Sequence, residues 1–244
     1  MIPYLETHIT EACNLKCRGC SHFSVFAKPK HKDLDEFRRE FERLAEIEEI
    51  PIIRLMGGEP LLNPDFMEYL RIARDCFPNS KIELVTNGIL SDKLLPHYKE
   101  INALDIGITV SDYHLDNQNM SMASARHDKG QLYNISLDTS GKQDAMSSFC
   151  NCDIYLNKWA FFQDGKFYLC CIAGTIHDFW DHFNLNWGFT QDDLNIDIFE
   201  HSAAEIEEFL NMPCELCRFC DTTKRAHSYA PFEKSKGDIK EWTV

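Results

Sequence analysis

Three cysteines, Cys13, Cys17 and Cys20, fall within eight residues near the N-terminus, separated by three residues and then by two. Thiolates that close on one short loop converge on a single soft metal centre. Structural zinc takes four protein ligands, whereas a four-iron cluster held by three cysteines leaves one iron open to a substrate or cofactor. The next cysteine is Cys76, so the count favours the open cluster. The alternative is a zinc site completed by His22 or by a more distant residue.

After about 35 residues that read as a helix and then a strand comes Leu55-Met56-Gly57-Gly58-Glu59-Pro60. With these two motifs the chain, over residues 3–111, resembles the radical S-adenosylmethionine (radical SAM) superfamily. That family has a three-cysteine loop after its first barrel strand and a Gly-Gly-Glu-Pro run after its second. The resemblance implies that Cys13, Cys17 and Cys20 hold a [4Fe-4S] cluster whose open iron binds the amino and carboxylate groups of SAM. One electron, from a reductant such as flavodoxin or ferredoxin, then cleaves SAM to a 5′-deoxyadenosyl radical that abstracts hydrogen from the substrate. It further implies that Gly57, Gly58, Glu59 and Pro60 meet the amino end of SAM, with room for it beside the glycines. Ser111 is expected at its ribose or carboxylate. Gly19 departs from the family, which usually has an aromatic residue there, and Phe23 is expected to supply the missing ring.

The elements that position these groups follow from periodicity. Residues 3–10 alternate like a strand and lead into the cysteine loop. Residues 33–49 read as a helix, with Asp33 and Glu36 as a capping-box start and Leu34, Phe37, Phe41, Leu44 and Glu48 on one mostly apolar face. Strands are expected at 51–56, 81–86 and 103–111, helices at 63–77 and 91–100, and a fifth strand at 132–138 after a polar stretch at 112–130. Alternating strands and helices predict a parallel sheet with helices on its outer face. Five or six strands do not close an eight-stranded barrel, so the fold class is α/β, an open partial (β/α)5-6 barrel. Both motifs follow strands, at the end where α/β barrels carry chemistry. The expected domains are a barrel over 1–140, a cysteine-rich appendage over 141–225 and a tail over 226–244.

Strand alternation also predicts a polar lumen. Tyr4, Glu6, His8 and Thr10 oppose Leu5, Thr7 and Ile9. Asp105, Gly107, Thr109 and Ser111 oppose Leu104, Ile106, Ile108 and Val110, and Asn134, Ser136 and Asp138 oppose Tyr133, Ile135 and Leu137. The apolar sets pack on helices, so the polar sets point inward, toward SAM, water or a hydroxyl-rich or amino-bearing substrate.

A second set of cysteines follows: Cys150, Cys152, Cys170, Cys171, Cys214, Cys217 and Cys220 are seven of the last 95 residues. Between Cys152 and Cys170, two apolar runs flank Asp164-Gly165 and predict a hairpin that brings these cysteines together. The pattern of Cys152, Gly165, Cys170, Cys214 and Cys217 resembles the "twitch" appendage, a half-length form of the SPASM auxiliary-cluster domain. It implies a second, closed [4Fe-4S] cluster suited to electron transfer, with Cys220 able to replace Cys217. Zinc on the same four cysteines is the alternative. Cys76 reads as a small core residue, and Cys150, Cys171 and Cys220 are candidate hydrogen donors to a substrate radical.

Composition narrows the function. Among 244 residues, 44% are apolar and 12% aromatic, enough for a packed core, and no apolar stretch approaches the roughly 20 residues of a membrane span. The first residues lack the features of a secretory signal, and eleven cysteines without one indicate metal ligands in a reducing cytoplasm. A net charge of −14 disfavours nucleic acid as a partner. The architecture resembles the twitch-bearing aminocyclitol dehydrogenase of aminoglycoside biosynthesis, and the first cysteine run resembles radical SAM proteins of polysaccharide gene clusters. The expected reaction is therefore oxidation of an alcohol carbon on a small polyol, sugar or aminocyclitol. Glu6, His8 and Asp138 are candidate bases for the hydroxyl proton. The alternatives are a redox-neutral epimerase, a peptide-modifying enzyme, for which the length leaves no leader-binding module, and a non-enzymatic electron carrier.

Overall fold

The computed structural model describes residues 2–133, 135–225 and 229–244. The chain forms two compact units, Met1–Leu15 with Lys28–Gln131, and Lys16–Ala27 with Leu132–Val244.

The first unit is a parallel sheet. Strands β1 (Tyr4–Thr10), β2 (Ile52–Gly57), β3 (Lys81–Thr86), β4 (Ile106–Asp112) and β5 (Ala125–Asp128) pair in chain order. Helices α1 (Leu34–Ile47), α2 (Phe66–Cys76) and α3 (Tyr98–Ala103) connect the first four of them. Five parallel strands with helical crossovers form the predicted open, partial α/β barrel. In α1 the Asp33 side chain accepts from the Asp35 and Glu36 amides at 3.0 and 2.9 Å, and Phe37, Phe41 and Leu44 bury one stripe. The helix stops at Ile47, so Glu48 is its C-cap rather than part of that stripe.

The fifth strand corrects the sequence reading. It is Ala125–Asp128, with Ser111 opposite His127, while residues from 132 onward belong to the second unit. Ile135 and Leu137 alternate like strand residues because both are buried in that unit's core. Ser136 has a positive φ of 58°, which breaks the extended run. The polar sequence Ala-Arg-His-Asp of β5 has no apolar face to betray it. Asn134 and the side chain of Tyr133 lie outside the described residues.

Strand β6 (Gln131–Tyr133) pairs with β10 (Tyr229–Pro231) in a two-stranded sheet. The second unit contains helices α4 (Ala145–Cys150) and α5 (Asp153–Leu156), then the antiparallel strands β7 (Trp159–Gln163), β8 (Lys166–Tyr168) and β9 (Asn195–Asp197). Asp164 and Gly165, with φ of 51° and 73°, make the predicted tight hairpin between β7 and β8. Helices α6 (Cys171–Phe183), α7 (Ala203–Leu210) and α8 (Thr222–Arg225) complete it. Its core gathers Phe23, Phe161, Phe179, Leu216 and Trp242.

Candidate active site

The cysteine loop begins where β1 ends, and the glycine motif holds that beginning. Gly58 N donates to Thr10 O at 3.0 Å, and Glu59 N to Ala12 O at 2.7 Å. A Cβ on Gly57 would stand 2.0 Å from the Thr10 oxygen, and one on Gly58 2.4 Å from the Ala12 oxygen and 2.8 Å from Cys13 Cβ. This corrects the expected open space for SAM at Gly58: the position a side chain would take is filled by the loop itself. The two glycines are required because backbone packs against backbone there.

Glu59 is fully buried, and Pro60 beside it is buried too. The Glu59 carboxylate accepts from Thr86 Oγ1 at 2.6 Å, Asn87 N at 2.7 Å and Leu61 N at 3.1 Å. Burial pushes its pKa up, and these donors oppose the shift by stabilising the charge. Asn87 Nδ2 in turn donates to Asn14 Oδ1 at 2.6 Å. Glu59 thus ties β2, β3 and the residue after Cys13 together within the first unit.

Cys17 and Cys20 belong to the second unit. Arg18 N donates to Glu233 O at 2.9 Å, Ser235 N to Lys16 O at 2.7 Å, and Trp242 Nε1 to Cys20 O at 3.0 Å. Gly19 has φ of 62°, and a Cβ there would lie 3.1 Å from the Glu241 oxygen, so the aromatic residue usual in the family would be strained. Phe23 does not replace it. Its ring is fully buried, 5.1 Å from Phe179 and 6.5 Å from Trp242, which corrects its expected role at adenine.

On the first unit's sheet, Glu6, Arg54, Glu83 and Gly107 lie side by side across four strands. Arg54 Nε donates to Glu83 at 2.6 Å, Lys81 Nζ reaches the same carboxylate at 2.6 Å, and Tyr4 Oη donates to Glu6 at 2.6 Å. The Arg54 guanidinium sits 5.0 Å over the Tyr4 ring. Burial raises the Tyr4 pKa beyond the ordinary phenol range, and burial with Arg54 nearby lowers that of His127. Arg54 and Glu83 were not singled out by the sequence reading. A lone arginine within Ile52-Ile53-Arg54-Leu55-Met56 was the available signal. Ser111, on the same face, is buried, and its carbonyl accepts from Gln118 Nε2 at 2.8 Å.

The candidate bases differ in access. Glu6 is partly exposed, whereas His8 is fully buried with Nδ1 3.0 Å from a Glu11 carboxylate oxygen. Asp138 belongs to the second unit rather than to a barrel strand. Its carboxylate accepts from Ser140 N at 2.9 Å and Gln143 Nε2 at 2.7 Å, and hydrogen bonds from Ser140 and Gln143 hold its pKa below the usual range. A carboxylate fastened in its own turn is a poor base, which corrects that expectation.

The second unit draws Cys152, Cys170, Cys214, Cys217 and Cys220 together. Burial, and then Cys171, Cys152 and Cys220, raise the Cys170 thiol well above its ordinary value. A hydrogen bond with Cys214, and then burial, push Cys217 up strongly, and burial pushes Cys220 to about 12. Buried thiols that hinder each other's ionisation favour a cation that takes them as thiolates. The donor set therefore fits an iron–sulfur cluster, and also zinc. Arg225, likewise not anticipated, lies among them with Nη1 3.5 Å from Cys152 Sγ. Cys171 is buried in the unit's core, Cys150 is exposed at the end of α4, and Cys76 is partly buried on α2.

Among the described residues, no helix is long and apolar enough to cross a membrane. The chain is 29% identical over 137 residues to the GTP 3′,8-cyclase of Campylobacter curvus, covering 55% of this chain and 41% of that protein. It is 36% identical over 89 residues to the same enzyme of Nautilia profundicola, covering 36% of this chain and 28% of the relative. The chain thus spans less than half the length of these curated relatives. In fold it is similar to BtrN, solved in complex with AdoMet and 2-DOIA, with a TM-score of 0.54 and 16% identity over 91% of this chain and 93% of that one. Residues 7–127 match the Radical SAM superfamily, and through them the chain belongs to that superfamily.

Proposed function

We propose that this radical SAM enzyme oxidises a carbinol carbon of a small polyol, sugar or aminocyclitol to a ketone, and delivers one electron to a second [4Fe-4S] cluster. The observation that carries this reading is the gathering of Cys152, Cys170, Cys214, Cys217 and Cys220 within one unit. Four thiolates close a cluster and leave it fit for electron transfer rather than substrate binding. When bound, the first cluster on Cys13, Cys17 and Cys20 and its SAM supply a 5′-deoxyadenosyl radical, given an electron from a flavodoxin- or ferredoxin-type reductant.

The remaining steps balance. The carbinol carbon loses a hydrogen atom, the hydroxyl loses its proton to a base, and the unpaired electron leaves for the second cluster. The alcohol has then lost two hydrogens and become a ketone. Glu6 is the base in this reading, being partly exposed on the face that carries Arg54 and Glu83, where it accepts from the Tyr4 hydroxyl. Hydroxyl and amino groups of a polyol match the donors and acceptors of that face. A nucleoside triphosphate, as in the cyclases, would bring further negative charge to a chain already at −14.

Anaerobic turnover with SAM and a library of sugars and cyclitols tests the reading, with 5′-deoxyadenosine and substrate mass followed together. Loss of two mass units is expected. No loss of mass, with one deuterium taken up from heavy water, would overturn it in favour of an epimerase with Cys150, Cys171 or Cys220 as hydrogen donor.

A further inference from the structure

Arg225 ends helix α8 and is 5% exposed, a cation held inside the second unit. Its Nε donates to Ile135 O at 3.0 Å, which fixes the plane of the guanidinium. Its Nη1 then points at Cys152 Sγ, 3.5 Å away, and its positive charge also acts on the Cys220 thiol, opposing the effect of burial there. Two cysteines from distant parts of the chain, 152 on the approach to α5 and 220 before α8, therefore share one arginine. A buried guanidinium needs countercharge. The adjacent Asp221 instead caps α8, accepting from Thr223 Oγ1 at 2.6 Å and Lys224 N at 3.1 Å. The Nη1 contact at 3.5 Å sets the guanidinium against the Cys152 sulfur.

We infer that Arg225 is a positioning residue that sets the reduction potential of a cluster on these cysteines by donating to its ligand sulfurs. The inference rests on the second-cluster reading above. A four-thiolate [4Fe-4S] cluster gains one negative charge on reduction, and a fixed cation with N–H groups on its sulfurs stabilises the reduced form more than the oxidised one. Arg225 thus raises the potential and makes the cluster a better acceptor for the electron of a deprotonated alcohol radical. The planar fork matters as well as the charge, since Nε must hold Ile135 while Nη1 reaches sulfur.

The test is a redox titration followed by electron paramagnetic resonance. It uses the full-length Cys13→Ala/Cys17→Ala/Cys20→Ala protein, reconstituted so that only the second cluster contributes. Arg225→Met is expected to keep about four irons and to lower the equilibrium constant for reduction at least tenfold, a fall of about 59 mV for one electron. Arg225→Lys, which keeps the charge but not the fork, is expected to fall between. Four irons with an unchanged potential in Arg225→Met would overturn the inference. So would loss of iron from both Arg225 variants, which would make the residue a structural strut. Absence of iron from the triple variant with Arg225 intact would overturn the second-cluster reading itself.

Discussion

Asn87 donates its side-chain amide to Asn14 at 2.6 Å, one residue past the first cluster cysteine. Asn87 is fixed in turn by Glu59, which accepts its backbone N–H at 2.7 Å. The glutamate of the Gly-Gly-Glu-Pro motif therefore reaches the cysteine loop through β3, as well as through its own amide on Ala12. A carboxylate with three donors and no exposure is a rigid anchor, and its neighbours inherit that rigidity.

Asn87→Ala removes the donor to Asn14 while leaving its own backbone N–H on Glu59. The loss of one hydrogen bond of about 1 kcal/mol should let the start of the loop shift. SAM cleavage is expected to fall roughly tenfold with iron content unchanged, since a small misplacement of reacting groups costs rate before it costs binding. A cleavage rate equal to wild type would show that the Asn14 contact does not position the loop.

Gly58→Val acts on the same joint from the other side. Its Cβ would collide with the Ala12 carbonyl and Cys13 Cβ, at 2.4 and 2.8 Å. Backbone cannot yield as a flexible side chain can, so the loop must move. The expected outcome is loss of the first cluster's iron, and of SAM cleavage with it, while the second cluster remains. Iron analysis after reconstitution reads this directly. Retention of about eight irons with weakened SAM affinity would mean that the glycine serves SAM and not the loop.

The Arg54–Glu83 pair makes a prediction about acid. Burial raises the Glu83 pKa, but hydrogen bonds from Lys81 and Arg54 win and hold it below the ordinary carboxylate value. A carboxylate lowered in the folded state stabilises the fold above its unfolded pKa of about 4.3, and this stabilisation is lost as pH falls through the lower folded value. Glu83→Gln removes the carboxylate that accepts from Arg54 and should cost about 3 kcal/mol at pH 7. The gap from wild type should start to narrow as pH falls below the unfolded value of about 4.3 and go on narrowing through the lower folded one. Urea unfolding at pH 7 and at pH 3.5 gives both numbers. An equal gap at the two values would remove the pair from the account.

Much of this was legible in the sequence because the physics was local. The capped start of α1 needs only Asp33, Asp35 and Glu36, and the hairpin at Asp164-Gly165 needs only two residues with positive φ. The first four strands follow from apolar runs between turn residues. What escaped depended on distant partners. Residues 132–138 alternate as a strand would, yet Ile135 and Leu137 are buried in a core with Trp242 and Phe219, some eighty or more positions later. Phe23 looked available for a cofactor because nothing nearby in sequence covers it, and Phe179 and Trp242 do so in the fold. Arg225 lies five residues past Cys220 with no local sign that it turns toward sulfur. Gly57 and Gly58 were expected to leave room for SAM, whereas the group packed against them is the chain's own loop.

The five gathered thiols predict a graded response to cysteine loss. A closed cluster takes four ligands, and Cys152 and Cys170 lie on either side of the hairpin with one partner each near Cys220. Cys214 and Cys217 form a hydrogen-bonded pair within one tight turn, and the Cys220 amide donates to Cys217 O at 3.3 Å. Either Cys217 or Cys220 can therefore approach the same metal corner after a small shift of that turn. Each single alanine variant at these two positions is expected to keep about eight irons per chain after anaerobic reconstitution, and the double variant to fall to about four. Cys152→Ala or Cys170→Ala should fall to four alone, since the adjacent Cys150 is exposed at the end of α4 and Cys171 is committed to the unit's core. Acid-labile sulfide, metal analysis and the spectrum of the reduced protein distinguish iron–sulfur from zinc in every variant. Zinc in place of iron at the second site throughout the series would discard the electron-acceptor role, and the oxidation of the alcohol would then need another sink for its second electron.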